Sequence, residues 1–177
     1  EDMEATFDIT WLQNAMERIF GCRPPVKGCS RTDAGVHALQ FCASFRHTTN
    51  LPDAKLPLAL NYHLPPDVRV LSARRVDEDF HARYSCIGKE YHYVFWNSPV
   101  QSPFLQGLCT PAPGALDEAA MHAAGQALVG RQDFAAFMSA GSPVESTVRT
   151  VSALSVCREG HKVMMKVAAD GFLYNMV

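Results

Sequence analysis

Four different functional side chains crowd into a single bend between Gly28 and Phe45. They are a cation, a hydroxyl, a carboxylate and an imidazole, from Arg31, Thr32, Asp33 and His37. An arginine beside a carboxyl group lowers the pKa of that group and keeps it ionised. An ionised carboxylate held on a rigid strand end can act as a nucleophile. An Asp-x-Gly turn alone is more often an ordinary turn, so it is the crowding of these side chains that indicates an active site at Asp33.

Strand-like sequence flanks this bend and predicts how it is held. Val26–Ser30 is short and partly β-branched. After the bend, apolar residues occupy the alternate positions typical of a half-buried strand, at Leu39, Phe41, Ala43 and Phe45. Asp tolerates turn conformations, and Gly supplies a positive φ without steric cost. The stretch therefore predicts a strand–turn–strand with Asp33-Ala34-Gly35 at the bend.

The residues from Ser30 to Ala38 read SRTDAGVHA, and this run resembles the active-site motif of the tRNA pseudouridine synthase A family. The aspartate of that motif is the family's essential catalytic residue, so the resemblance implies a catalytic Asp33. It also implies that Arg31 supports a nucleotide flipped out of its stem, and that His37 lies in the substrate site.

Three later segments agree with the resemblance. Asp79–Arg83 reads DFHAR; it is either a polar connector or, as in the family, a cationic loop beside the substrate that includes Arg83. Tyr91 matches a family tyrosine that contacts the target base. Alternating aromatic residues more often pack in the core, and we place Tyr93 there. Arg149 lies in a V-R-T segment that the family shares, as a phosphate contact or a surface charge.

Composition indicates a globular protein. The chain has 177 residues, of which 47% are hydrophobic and 19% charged; a chain of this length buries roughly 70% of its unfolded surface without crosslinks. No apolar run is long enough to cross a bilayer, and no signal peptide is evident. A net charge of −2 argues mildly against a nucleic-acid partner, although a basic groove can lie on a neutral protein.

The sequence predicts neither a metal nor a cofactor. Its six cysteines are scattered singly, without C-x-x-C or H-E-x-x-H spacing, and are typical of free thiols in a reducing cytosol. It has no dinucleotide fingerprint and no P-loop. The reaction that the resemblance implies has no redox step and needs no external energy, which agrees with the absence of a cofactor.

Hydrophobic periodicity predicts alternating helices and strands. Helices are predicted at Asp8–Phe20, Lys55–Leu64 and Asp117–Val129, and one that opens at Gly171. Strands are predicted at Val68–Val76 and Ser85–Asn97, from the Thr147–Thr150 segment to about Cys157, and at His161–Ala169. We expect the second helix to bury Leu58, Tyr62 and Leu64. We expect the third helix to bury Ala120, Met121, Ala124 and Leu128.

The order of these elements repeats once along the chain. It suggests an α+β fold of two ferredoxin-like halves, 1–83 and 84–177, that share an antiparallel sheet with helices on one face. The resemblance implies the same fold, with an RNA-binding cleft between the halves. Because the chain ends within an apolar run at Val177, we expect missing residues after it, and others before Glu1. The resemblance implies that a first strand precedes Glu1 and that an arginine after Val177 pairs with the catalytic aspartate.

The resemblance implies an isomerase that converts uridine into pseudouridine at positions 38–40 of the tRNA anticodon stem–loop. It further implies a tRNA partner, no membrane partner, a cytoplasmic location and a homodimer. A non-catalytic ferredoxin-like RNA-binding module is the alternative, because such sheets bind single strands through exposed aromatic residues. A hydrolase that uses Asp33 and His37 is weaker, since no oxyanion site can be identified.

Overall fold

The computed structural model describes residues 9–30, 32, 35–141 and 144–177. The chain divides into two compact units, Glu1–Cys86 and Ile87–Val177. Each unit has its own sheet and its own cluster of buried apolar side chains, and the secondary structure is mixed α+β, as predicted. None of the helices in these described ranges is long and apolar enough to cross a membrane.

Two helices and a β-hairpin make up the described part of the first unit. They are α1 (Ile9–Phe20), β1 (Val26–Gly28), β2 (Ala43–Phe45) and α2 (Leu56–His63). The apolar stripe of α1 faces the core, and its buried residues are Leu12, Ala15 and Met16. Strand β2 is shorter than the predicted strand, because Leu39 is 84% exposed and only the last three residues pair with β1.

Helix α2 buries a different face from the predicted one, although Leu64 at its end is buried as predicted. Leu56, Leu60 and the following Leu64 lie in the first core cluster, whereas Leu58 and Tyr62 are exposed. The helix is short and carries apolar residues on more than one face, so packing against α1 decides which face is buried.

The predicted strand Val68–Val76 is wrong, since no residue of this segment joins a sheet. The side chain of Asn61 in α2 takes the place of a neighbouring strand. Its Nδ2 donates to the Val70 carbonyl over 2.9 Å, and the Val70 N–H donates to its Oδ1 over 2.7 Å. Both polar groups of this backbone unit are thereby satisfied without a ladder.

The second unit is built on a five-stranded sheet covered by one α-helix. Its elements are β3 (Lys89–Trp96), β4 (Thr110–Pro111), α3 (Glu118–Gly125), β5 (Gly130–Asp133), β6 (Val148–Glu159) and β7 (Lys162–Ala169). The strand order is β4-β3-β7-β6-β5. Because β4 pairs parallel to β3, this sheet is mixed and not antiparallel as predicted. The described strands of the two units belong to separate sheets, so they do not form the predicted shared sheet; the RNA-binding cleft stays a prediction.

The hairpin β6–β7 forms the centre of this sheet. Its two-residue turn, Gly160-His161, has Gly160 at φ 58°, a backbone conformation that favours glycine in tight hairpin turns. Helix α3 packs on β6 so closely that a Cβ placed on Gly125 would lie 2.3 Å from Cδ2 of Leu154. The inward face of α3 therefore includes Gly125, while the predicted Ala120 and Ala124 are exposed. No helix opens at Gly171; the segment is irregular.

Candidate functional site

The β1–β2 hairpin carries the bend that the sequence singles out. Arg31 and Asp33 themselves lie outside the described residues, so their catalytic roles stay predictions. The hairpin legs are described: Gly28 pairs with Ala43, and beyond them the Cys29 N–H donates to the Cys42 carbonyl over 2.9 Å. The ladder thus continues toward the motif and supports it from both sides.

Glycine is favoured at positions 28 and 35 of the hairpin for two different physical reasons. A Cβ on Gly28 would lie 2.8 Å from Cζ of Phe41, so a larger residue here would force this ring to shift away from the strand. Gly35 has φ 75°, and no atom of the described residues, its own chain neighbours aside, lies within 4 Å of a Cβ placed on it; the backbone conformation therefore favours glycine at this turn, as predicted. His37 lies in the exposed, irregular segment that follows.

The DFHAR segment, Asp79–Arg83, is hydrogen-bonded directly to this hairpin. Ala82 is 2% exposed, and its N–H donates to the Ser44 hydroxyl of β2 over 3.2 Å. Arg83 follows on the exposed side of the turn. Within the described part of the chain, its guanidinium makes neither a hydrogen bond nor an ion pair. The structure therefore places Arg83 and the motif hairpin in the same unit, with the cation available to a ligand.

Tyr91 lies at the start of β3 in the second unit. It is half-buried and packs against the second core cluster. Its ring meets the ring of Phe172 edge to face, with centroids 5.0 Å apart and planes at 82°. Such a contact holds an aromatic side chain in a definite orientation, which a residue that stacks on a base requires.

Arg149, the second residue of β6, lies near the same segment after β7. Its Nε would be 3.6 Å from a Cβ on Gly171, the neighbour of Phe172. Its Nη1 donates to the Ser146 and Val148 carbonyls over 2.9 and 2.7 Å. No hydrogen bond from Nε or Nη2 is found among the residues described, so these donors can serve a phosphate. Tyr91 and Arg149 thus both approach the chain where β7 ends.

Asp170 is a carboxylate in this region that the sequence reasoning missed. Burial raises its pKa, but hydrogen bonds from the main chain and hydroxyl of Thr150 and from the main chain of Gly171, with the charge of Arg149, lower the pKa below its ordinary value. Its Oδ1 accepts the Thr150 N–H over 3.0 Å, and its own N–H donates to the Thr150 carbonyl over 3.1 Å. Asp170 therefore prolongs the β6–β7 pairing and is not free to act as a base.

Tyr93 corrects a prediction. We expected this side chain in the core, but it is 38% exposed. Its hydroxyl accepts a hydrogen bond from the Thr110 hydroxyl of β4 over 2.9 Å, and its ring contacts Phe95. Tyr93 thus links β3 to the edge strand β4.

The described cysteines are all free thiols. Burial raises the pKa of Cys42, and the neighbouring Cys29 thiol raises it further. Among residues 9–30, 32, 35–141 and 144–177, no three His, Cys, Asp or Glu side chains are grouped so that they could hold a metal ion.

Comparison with known proteins identifies relatives along almost the whole chain. Residues 124–177 match the family model described as tRNA pseudouridine synthase. The chain is 44% identical over 167 residues to tRNA pseudouridine synthase A of Methylacidiphilum infernorum (isolate V4), covering 94% of this chain and 66% of that protein. It is 41% identical over 166 residues to tRNA pseudouridine synthase A of Thermoanaerobacter sp. (strain X514), covering 94% and 68%. The chain thus spans about two thirds of the length of these curated relatives.

Proposed function

The chain belongs to the tRNA pseudouridine synthase A family, a family of isomerases, and we propose that the full-length protein converts uridine into pseudouridine at positions 38–40 of the tRNA anticodon stem–loop. The observation that carries this proposal is the uninterrupted SRTDAGVHA run on the β1–β2 hairpin. We further propose a cytoplasmic location and a homodimer, which the family resemblance implies.

The reaction requires little beyond positioned side chains. The N1–C1′ bond breaks, the uracil turns, a C5–C1′ bond forms, and the proton lost from C5 is balanced by one gained at N1. The Asp33 carboxylate acts on the base or the sugar. Attack at C6, attack at C1′ and removal of a sugar proton all use this same group. Arg31 supports the flipped nucleotide, since extrusion of a base costs a few kcal/mol.

Residues of the second unit hold the detached uracil. The half-buried ring of Tyr91, fixed by Phe172, offers a flat surface, and base–aromatic stacking contributes about 1–3 kcal/mol. A stacked uracil turns in place instead of escaping. Arg149 offers free N–H donors to a phosphate, as Arg83 does from the first unit, and we assign His37 to substrate binding on the family resemblance.

A non-catalytic RNA-binding module is the less favoured alternative. Binding alone does not need a carboxylate that faces phosphate groups, because such a group repels them. The curated relatives compared above are named as synthases, not as binding proteins.

Asp33→Asn in the full-length protein tests the proposal. Asparagine keeps the size of the side chain but removes its charge, so pseudouridine formation should fall to background while the Kd for tRNA changes by only a few-fold. The measurements are a nucleotide-resolution map of pseudouridine in tRNA and fluorescence anisotropy with an unmodified transcript.

Asp67→Asn is the matched control, because Asp67 is an exposed aspartate of the same unit. It should modify tRNA at the wild-type rate. Near wild-type turnover of Asp33→Asn would remove Asp33 from the mechanism, and loss of tRNA binding with retained turnover of bound tRNA would reduce it to a binding residue.

A further inference from the structure

The exposed turn after Phe80 presents an aromatic pair and a cation side by side. Tyr84 is 80% exposed, and its ring lies on the His81 ring with centroids 4.3 Å apart and planes at 33°. Arg83 lies between them in sequence and is exposed too. We call His81, Arg83 and Tyr84 the aromatic turn.

Hydrogen bonds make the aromatic turn rigid. The His81 Nδ1 accepts the N–H groups of Arg83 and Tyr84 over 3.1 and 3.4 Å, which fixes the imidazole beneath the turn. The Ser85 N–H donates to the His81 carbonyl over 2.8 Å, and the Ser85 hydroxyl accepts the His81 N–H over 3.1 Å. Because the turn is ordered before any ligand arrives, a ligand pays little entropy to use it.

The aromatic turn is also bound to the hairpin that carries the Asp33 motif, because the N–H of the buried Ala82 donates a hydrogen bond to the Ser44 hydroxyl. We propose that Tyr84, stacked on His81, is a platform for an unpaired base of the RNA substrate, with Arg83 at the adjoining phosphate. This inference rests on the proposed function and extends it to a base outside the reacting uridine.

The chemistry of the turn favours a nucleotide. A flat ring with one exposed face binds a base by stacking, and a guanidinium binds a phosphate. The acidic residues Asp77, Glu78 and Asp79 precede the turn, so the surface is not generally attractive to polyanions. Stacking, and not net charge, must therefore supply most of the affinity at this position.

The test measures binding of the full-length protein to an unmodified tRNA transcript by fluorescence anisotropy at several salt concentrations. Tyr84→Ala should raise the Kd about 5- to 150-fold, the range expected for loss of one stacked base. The slope of log Kd against log salt concentration should stay unchanged. Arg83→Gln should reduce that slope by about 1, because one phosphate contact is lost.

Conservative and matched variants separate stacking from other effects. Tyr84→Phe should bind within about 2-fold of wild type, and Tyr84→Leu, which is bulky but not flat, should bind as weakly as Tyr84→Ala. Tyr62→Ala is the matched control, since Tyr62 is 85% exposed and its ring also contacts a histidine, His63, at 5.0 Å; it should bind as wild type.

The platform is overturned if Tyr84→Ala or Tyr84→Leu binds tRNA as wild type, or if Tyr62→Ala loses as much affinity. It is also overturned if Tyr84→Ala instead loses a protein partner while tRNA binding is unchanged. None of these results bears on the proposed reaction, which is judged separately by the turnover of Asp33→Asn.

Discussion

The contact between Tyr91 and Phe172 can be tested by removing each ring separately and then both together. The two rings meet edge to face at 5.0 Å, and such pairs contribute about 0.5–1.5 kcal/mol beyond the burial of their area. Phe172 lies in an irregular segment without ladder pairing. Its position therefore depends on this contact and on packing against the second core cluster.

The expected magnitudes follow from burial. Phe→Ala at a fully buried site costs about 3–5 kcal/mol. Both rings are only half-buried, so we expect Tyr91→Ala and Phe172→Ala each to lower the free energy of unfolding by about 1.5–2.5 kcal/mol. The double variant should lose less than the sum of the two by about 0.5–1.5 kcal/mol, because the shared contact is counted only once.

Urea unfolding followed by tryptophan fluorescence measures these differences. Trp96 lies on β3 in the same unit as both rings, so a Trp11→Phe background isolates its signal from the first unit. Tyr93→Ala is the control, because Tyr93 lies on the same strand without a ring contact to Phe172 in the described structure. A coupling between Tyr91 and Phe172 below about 0.3 kcal/mol, within the error of additivity, would refute the argument that Phe172 orients Tyr91.

The same variants bear on catalysis. Tyr91→Phe keeps the ring, so we expect tRNA binding within a few-fold of wild type but slower turnover. Tyr91→Ala removes the stacking surface and should weaken both binding and turnover. An unchanged turnover rate for Tyr91→Ala would return Tyr91 to a purely structural role in the core.

Two further variants probe the sheet that positions these residues. Gly125→Ala should lower the free energy of unfolding by about 1–3 kcal/mol, because the new methyl group would lie 2.3 Å from Cδ2 of the buried Leu154. This loss should exceed the helix-propensity gain of about 1 kcal/mol. A variant that is more stable than wild type in urea unfolding would contradict the close packing. The pKa of folded Asp170 lies below its ordinary value, so its charge stabilises the fold above that value, and this contribution disappears as the pH falls through the folded pKa. Asp170→Asn should therefore unfold at lower urea than wild type at pH 7, and this difference should shrink as the pH falls through the lowered pKa of Asp170. A difference that does not change with pH would mean that the charge plays no part.

The amino-acid sequence by itself determined the elements with strong, long periodicity. Helix α1 and strand β7 end within a residue of their predicted bounds, because an apolar stripe or a strict alternation is a local property that any compact fold must bury. Strand β6 begins at the predicted V-R-T segment. The SRTDAGVHA run also indicated the family, because a contiguous motif can be recognised without knowledge of the fold.

Only the tertiary structure decided which surfaces these elements use. The buried face of α2 depends on α1, the pairing of Val70 depends on the Asn61 side chain, and the mixed sheet depends on a two-residue strand too short to have a periodicity. The contact between Tyr91 and Phe172 joins positions far apart in the chain. No local pattern encodes it, because the two rings meet only after β3 and β7 have paired in register.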